Sequence, residues 1–414
     1  MERFEVVGGK ELFGTVRLSG AKNSVLPLLA ASILTEDEVI IEDCPKISDV
    51  ERMLDILRLL GVSAERDGAR VRVCGRVRNT DIPDELAGEM RSSIFLLGSI
   101  LAVAGEVHIA YPGGCDIGAR PLNLHFEGFR KLNIEVHESG YIHCSARCIK
   151  GADMVLSLPS VGATENLMLA SVFCEGETII RNAAKEPEIV DLATFLRAMG
   201  ADVDGDGTSV ISIRGVKRLR GVRYTPIPDR IICGTIITAV AAAGGAVTVE
   251  NCVPEHCAAL IGKIPKTACR IEAESDKISL YACGRGEAAR LVDTSPYPGF
   301  PTDMQPQFMA LQAVSRGVCV VRENIFETRF RHVQELVKMG ADITIGGRIA
   351  VIRGGKLKGA EVTATDLRGG AGLVIAGLAA EGRTVVKNLL HIDRGYENLE
   401  LLLSSLGAEI KRLD

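Results

Sequence analysis

The sequence contains no tryptophan, and aromatic residues make up only 4% of it. A core must therefore come from aliphatic side chains. At 47% hydrophobic content, rich in Ala, Val, Ile and Leu, the composition suits close-packed α/β layers. An excess of positive charge is also missing: the net charge is −5, which excludes a global basic field for nucleic acid and leaves only local basic clusters. No apolar run reaches the roughly 18–20 residues that a membrane span needs, and TIITAVAAAGGAV is short and broken by glycine. The start, MERFEVVGGKELFG, has no apolar signal core, so a soluble, cytoplasmic protein is expected.

Cysteine is plentiful, but its usual patterns are absent. The twelve cysteines include no CxxC, and neither Cys144/Cys148 nor Cys252/Cys257 is followed by a His-x3-5-His pair. In a chain of 414 residues this argues against a disulfide scaffold and against a zinc site. Cys74, Cys174, Cys233 and Cys319 lie in apolar runs and read as small hydrophobes. GxxxxGK[ST], GxGxxG after a strand, HExxH and GxSxG are all missing, which removes the corresponding nucleotide, zinc-protease and hydrolase chemistries. Seven histidines are scattered; His108, His137 and His143 read as surface or strand residues. His125 is open to packing, capping or substrate contact.

What is present is repetition. Six stretches open alike: KNSVLPLLAASILTEDEVIIED, MRSSIFLLGSILAVAGEVHIA, GATENLMLASVFCEGETIIRN, DRIICGTIITAVAAAGGAVTVEN, DMQPQFMALQAVSRGVCVVRE and DLRGGAGLVIAGLAAEGRTVVKN. Each gives an Ala-rich apolar segment, a turn and an alternating strand, then a second helix with its stop. The stops fall at Gly61, Asn133, Gly200, near residue 268, at Gly340 and at Gly407, a repeat of about 70 residues. Gly or Asn just past a helix suits a left-handed cap. The fourth copy, IPKTACRIE, has no such stop and is expected to be irregular. The second helices are amphipathic, with Leu122, Phe126 and Phe129 on one face, whereas the first are apolar nearly all round and must be buried on every side. Buried helices contradict a barrel with a strand core. They predict an inside-out α/β fold of two domains, each of three repeats, in preference to a one-dimensional solenoid.

The starts of these helices carry chemistry: Lys22-Asn23, Arg91-Ser92, Thr164-Glu165, Asp229-Arg230, Thr302-Asp303, and Asp366 with Arg368. Capping explains Ser92 and Asp229. It does not explain Lys22, Arg91 and Arg368, because a cation is unfavourable at a helix N-terminus. If the helices run parallel, their starts converge, and two facing domains would gather Lys22, Arg91, Arg120 and Arg368 about a multiply anionic ligand.

The ordered blocks GTVRLSGAKNSVLPLLAAS, YPGGCDIGARPLNLHFEGF, PSVGATEN, KEPEIVDLATFL, PIPDRIICGT, SPYPGFPTDMQPQ, ENIFETRFRHVQEL, TDLRGGAGLVIAGL and IDRGYENLE run the length of the chain. On them the sequence resembles the UDP-N-acetylglucosamine 1-carboxyvinyltransferases, an enolpyruvyl transferase family. The resemblance implies two inverse α/β barrels with the active site in the cleft between them. One domain would span 22–227 and carry the Cys115 loop, and the other 1–21 and 228–414, with crossings near Ser19–Ala21 and Ile227–Asp229. It implies transfer of the enolpyruvyl group of phosphoenolpyruvate to the 3-hydroxyl of UDP-N-acetylglucosamine, the first committed step of bacterial peptidoglycan synthesis. The protein would be a monomer acting on small molecules, with no cofactor, metal, nucleic acid or membrane. Sister chemistry on shikimate 3-phosphate, and a non-catalytic nucleotide-sugar-binding paralogue, are the alternatives.

Residue by residue, the resemblance assigns Lys22, Arg120 and Arg394, with Arg368 nearby, to the phosphate and carboxylate of phosphoenolpyruvate. Asn23 is placed at the sugar and beside the same donor. Arg91, Arg120, Pro121, Leu122, Asn123, Leu124, Ser160, Val161 and Gly162 are assigned to the uridine diphosphate end. Asp303 becomes the general base, with the Ile325 backbone and Asp366 lining the site, and Cys115 the residue that protonates the methylene carbon. Three positions depart from the family pattern: Asn123 stands where Asp is common, Asp116 where Ala is common, and Leu158-Pro159 where some relatives have a lysine before Ser160. Asp116 raises the Cys115 thiol pKa while Arg120 and the following helix start lower it, a balance the sequence leaves open. Fosfomycin is expected to alkylate Cys115 before any other cysteine. Mass spectrometry of treated protein checks this, and modification elsewhere with Cys115 untouched would refute it.

Overall fold

The computed structural model describes residues 2–114 and 117–414, so Cys115 and Asp116 lie outside the described residues. The chain forms two compact units. One comprises Gly20–Gly114 and Pro121–Ile227; the other comprises residues up to Ser19, residues 117–120 and Pro228–Asp414.

Each unit is built around three helices with no polar face. In the first they are Lys22–Ala31, Leu96–Ala104 and Val161–Ser171; in the second, Arg230–Ala243, Gln305–Val314 and Leu367–Ala379. All ten residues of Gln305–Val314 are buried. Small residues let these helices approach: a Cβ on Gly98 would stand 2.3 Å from the Asn166 carbonyl oxygen, and one on Gly372 2.8 Å from that of Pro306.

Around the helices, among the described residues, lie six four-stranded sheets with one shared topology. In each, an edge strand pairs parallel with its neighbour and the next two pairings are antiparallel; that edge strand has two or three residues in five sheets and six, Leu12–Arg17, in the other. Asp153–Val155, Glu177–Arg181, Val210–Arg214 and Asp202–Asp204 follow this order. Glu177–Arg181 alternates exposed and buried side chains, so one face covers the helices and the other meets solvent. Helices inside and sheets outside is the inverse α/β arrangement expected from the repeats.

The start of the chain completes two sheets of the second unit. Arg3–Val7 lies between Arg383–Lys387 and Glu409–Leu413, antiparallel to both. Leu12–Arg17 runs parallel to Gly245–Glu250. Arg223–Tyr224 closes the first sheet of the other unit against Val39–Ile41.

The expected stops are present, with positive φ at Gly61, Asn133, Gly200, Gly340 and Gly407. The fourth repeat is irregular, its second helix reduced to Pro254–Cys257 and Ala258–Ile261. Some expectations need correction. The third buried helix opens at Val161 with Ser160 as its cap, so Thr164 and Glu165 lie inside the helix. Ser92 falls within the turn Arg91–Phe95 and does not cap it. The helix after the Cys115 loop begins at Asn123, so Leu122, expected on its apolar face with Phe126 and Phe129, is its cap residue. Pro187–Met199 is amphipathic as expected, with Val190, Thr194, Arg197 and Ala198 on its solvent face, but its buried face also carries Glu188 and Asp191. Asp191 accepts hydrogen bonds from Ser24, from the Tyr224 hydroxyl at 2.5 Å and from the Ile227 N–H at 3.3 Å. Cys74 is half-buried, whereas Cys174, Cys233 and Cys319 are buried as expected.

Replacing Gly98 by Ala should cost about 1–3 kcal/mol, because Cβ meets backbone that cannot yield without parting two helices. Urea unfolding measures it; an unchanged midpoint would show that the contact is loose.

Candidate active site

In the second unit the chemistry gathers at Asp303, in the turn Thr302–Met304 that leads into a buried helix. Arg329 Nη2 donates to Oδ1 at 3.0 Å, while Arg368 donates to Oδ2 from Nε at 3.2 Å and from Nη2 at 3.0 Å. The arginine side chains are 2% and 3% exposed and that of Asp303 is 27% exposed, so the carboxylate is the open end of the cluster. Arg368 is the second residue of its helix, at the end where a cation is disfavoured. Burial pulls its pKa down, but Asp303, Tyr396 and Asp229 together push it above the ordinary value. Asp229 and Asp366 cap their helices, Asp366 through the N–H groups of Arg368 and Gly369, each at 3.0 Å. Three helix starts thus meet around one guanidinium, which stands 5.5 Å from the Tyr396 ring centre.

Fully buried Glu323 organises the neighbouring loops. It accepts from Thr302 Oγ1 at 3.0 Å and from the N–H groups of Ile325 and Phe326 at 2.9 and 3.0 Å. The Ile325 N–H is therefore already engaged. The Ile117 carbonyl accepts from the Thr328 N–H at 3.2 Å, which seats this part of the expected loop one residue from Arg329. Arg120 takes a left-handed backbone, φ 40°. Arg394 follows Asp393, whose carboxylate Arg412 holds at 3.0 and 2.6 Å.

In the first unit Lys22 opens a helix whose cap residue, Ala21, makes no side-chain capping hydrogen bond, and its Nζ pairs with Asp49 at 2.8 Å. Asn23 follows on the same start. Arg91 opens the turn Arg91–Phe95, and its charge acts on His125. The His125 ring is buried and its Nδ1 accepts from the Asn166 amide at 3.0 Å, which leaves the proton on Nε2. Gly162 lies over that ring, a Cβ there being 3.5 Å from Cε1. Ser160 accepts from the Ala163 N–H at 3.3 Å and fixes the start that includes Val161. Pro121, Leu122, Asn123 and Leu124 lead into the helix that carries His125. His125 is thus a packing residue linking Arg91, Leu122–Leu124 and Ser160–Gly162.

The profile of the EPSP synthase (3-phosphoshikimate 1-carboxyvinyltransferase) family matches residues 6–403. UDP-N-acetylglucosamine 1-carboxyvinyltransferase 2 of Caldanaerobacter subterraneus subsp. tengcongensis is 50% identical over 416 residues, covering 100% of both chains. The UDP-N-acetylglucosamine 1-carboxyvinyltransferase of Oleidesulfovibrio alaskensis is 46% identical over 415 residues, again covering 100% of both. The chain belongs to the UDP-N-acetylglucosamine 1-carboxyvinyltransferase family. Among solved structures, the enolpyruvyl transferase NikO from Streptomyces tendae superposes with a TM-score of 0.86 at 26% identity, covering 99% of this chain and 98% of that one. An EPSP synthase from Acinetobacter baumannii, TM-score 0.77 at 18% identity and covering 100% of both chains, shows the shared fold.

Membership in this transferase family gives the sequence expectations a frame, and the structure adds residues they missed. Arg329 lies inside the block ENIFETRFRHVQEL and Asp49 follows PKIS, but neither has a spacing that points to Asp303 or Lys22. Both are visible only once the chain is folded.

Two buried histidines of this carboxyvinyltransferase-family chain make its stability depend on pH. Burial, with Arg91 nearby, lowers the His125 pKa to about 3. Burial also lowers that of His332 to about 4; Asp366 opposes the shift and Arg329 adds to it. In the unfolded chain both titrate near pH 6.5. Below that pH the unfolded state takes up protons that the folded state refuses, so their contribution is full above about pH 6.5 and is lost as the pH falls towards 4. Replacing His125 by Gln should flatten the fall in urea-unfolding free energy between pH 6.5 and 4.5. The same slope in variant and wild type would refute a neutral His125.

Proposed function

We propose that the protein transfers the enolpyruvyl group of phosphoenolpyruvate to the 3-hydroxyl of UDP-N-acetylglucosamine and releases phosphate, the first committed step of bacterial peptidoglycan synthesis. The observation that carries this reading is identity of 46–50% over the full chain to relatives named for that acceptor, against 18% to the shikimate-type synthase. It acts as a monomer in the cytoplasm on these two small molecules.

The chemistry is an addition followed by an elimination. Asp303 takes the proton of the acceptor hydroxyl as its oxygen bonds to C2 of phosphoenolpyruvate, and Cys115 gives a proton to C3. The tetrahedral adduct then returns a proton from C3 to the Cys115 thiolate as the C2–O bond to phosphate breaks, and the leaving phosphate takes the proton held on Asp303. Atoms and electrons balance without a redox partner. Arg329 and Arg368 hold the Asp303 carboxylate in orientation, and it is the more exposed partner of the two ion pairs. Lys22, Arg120, Arg368 and Arg394 offset and orient the donor's phosphate and carboxylate. Support for an anion near Arg368 comes from Arg329 Nε and Arg368 Nη1, buried donors that have no hydrogen-bond partner among the described residues. Asn23 contacts the sugar. Arg91, Pro121–Leu124 and Ser160–Gly162 receive the uridine diphosphate, and the Ile325 backbone and Asp366 line the acceptor's end.

Purified protein given phosphoenolpyruvate should release phosphate with UDP-N-acetylglucosamine, and Asp303→Asn should lower kcat by about 10²–10⁴. Turnover only with shikimate 3-phosphate would overturn the acceptor. Phosphate release with neither would favour a nucleotide-sugar-binding protein.

A further inference from the structure

Away from these residues, the sheet formed by Asp81–Ile82, Glu106–Ala110, Tyr141–Ser145 and Glu135–Glu138 carries an unused set of ligating groups on its outer face. In that sheet His143 stands directly opposite His108 on one side and His137 on the other. The three imidazoles form a row across adjacent strands, with ring centres 4.0 Å apart for His108–His143 and 6.0 Å for His137–His143. Glu106 precedes His108 by two residues and so shares its face. One of its oxygens, Oε1, lies 2.9 Å from His143 Nε2 and 3.4 Å from His108 Nε2. Two imidazole nitrogens and a carboxylate oxygen thus lie within 4.8 Å of one another.

We infer that Glu106, His108 and His143 form a surface site for a divalent transition-metal ion that favours imidazole, of the zinc or nickel type. Two neutral imidazoles and one carboxylate are a competent three-ligand set, with remaining positions left to water. A bound ion would take the place of the two N–H···O contacts that now converge on Glu106, so the side chains need little rearrangement. The β-ladder fixes the backbone of both histidines, which lowers the entropy cost of assembling the set. The side chains are 55%, 44% and 30% exposed in the order Glu106, His108 and His143, so an ion reaches them directly. A plain ion-pair role is the weaker account, since exposed pairs contribute about 0–1 kcal/mol and explain neither the row nor the convergence. Sequence spacing gave no hint of the site, because its ligands come from strands joined only by register.

Isothermal titration of wild-type protein with Ni²⁺ should show one saturable site per chain. Glu106→Gln and His143→Ala should each weaken it on the order of tenfold or more, a loss typical of disturbed metal sites. The double variant His108→Ala/His143→Ala should abolish it while enolpyruvyl transfer is unchanged, which separates this site from the active one and from thiols. In the wild type, Ni²⁺ should shield His108 and His143 from diethyl pyrocarbonate, mapped by mass spectrometry; this needs no variant to fold. Absence of saturable binding, undiminished binding in the double variant, or unshielded histidines would overturn the assignment.

Discussion

A helix with no polar face must be covered from every side, and that constraint orders both units. Three such helices cover one another only partly, so sheets close the remainder, each with one apolar face turned inward. Gly98 and Gly372 show how close the central helices come. With their flanks sealed, the helix starts become the main openings through which polar groups reach the interior. Charged side chains collect there, at Lys22, Arg91, Asp229, Asp303, Asp366 and Arg368.

Charge at such a start needs compensation from outside its own helix. Arg368 faces the positive end of its dipole, and Asp303, from the start of the next helix, supplies the opposite charge. Lys22 is matched by Asp49 in the same way. Each pairing joins residues from different repeats or different elements, so holding the functional groups in place also fastens the architecture. Glu323 extends this by tying the loop before Asp303 to the loop at Ile325 through one carboxylate.

Features with a local cause were legible in the sequence. The stops at Gly61, Asn133, Gly200, Gly340 and Gly407 need a left-handed residue, and the apolar helices need burial; both leave a mark in composition and spacing. The candidate residues Asp303, Arg368 and Asp366 stood out as polar groups at helix starts. Arg329, Asp49 and the His125–Asn166 contact did not, because their partners are set by tertiary packing alone. Edge strands of two or three residues, such as Asp81–Ile82 and Arg223–Tyr224, are too short to carry a period. Ser92 misled because a capping residue type sat within a turn that starts elsewhere.

The strand Arg3–Val7 carries a consequence for how the protein is made. It leaves the ribosome well before both of its neighbours, Arg383–Lys387 and Glu409–Leu413, which lie more than 370 residues later in the chain. Synthesis runs at about 5–20 residues per second, so this strand waits tens of seconds with its pairing edges open. During that interval the unit of Gly20–Gly114 and Pro121–Ile227 has every strand of its three sheets and can condense. That unit can thus assemble first, and the strand Arg3–Val7 must be kept from other partners until Glu409–Leu413 has been made.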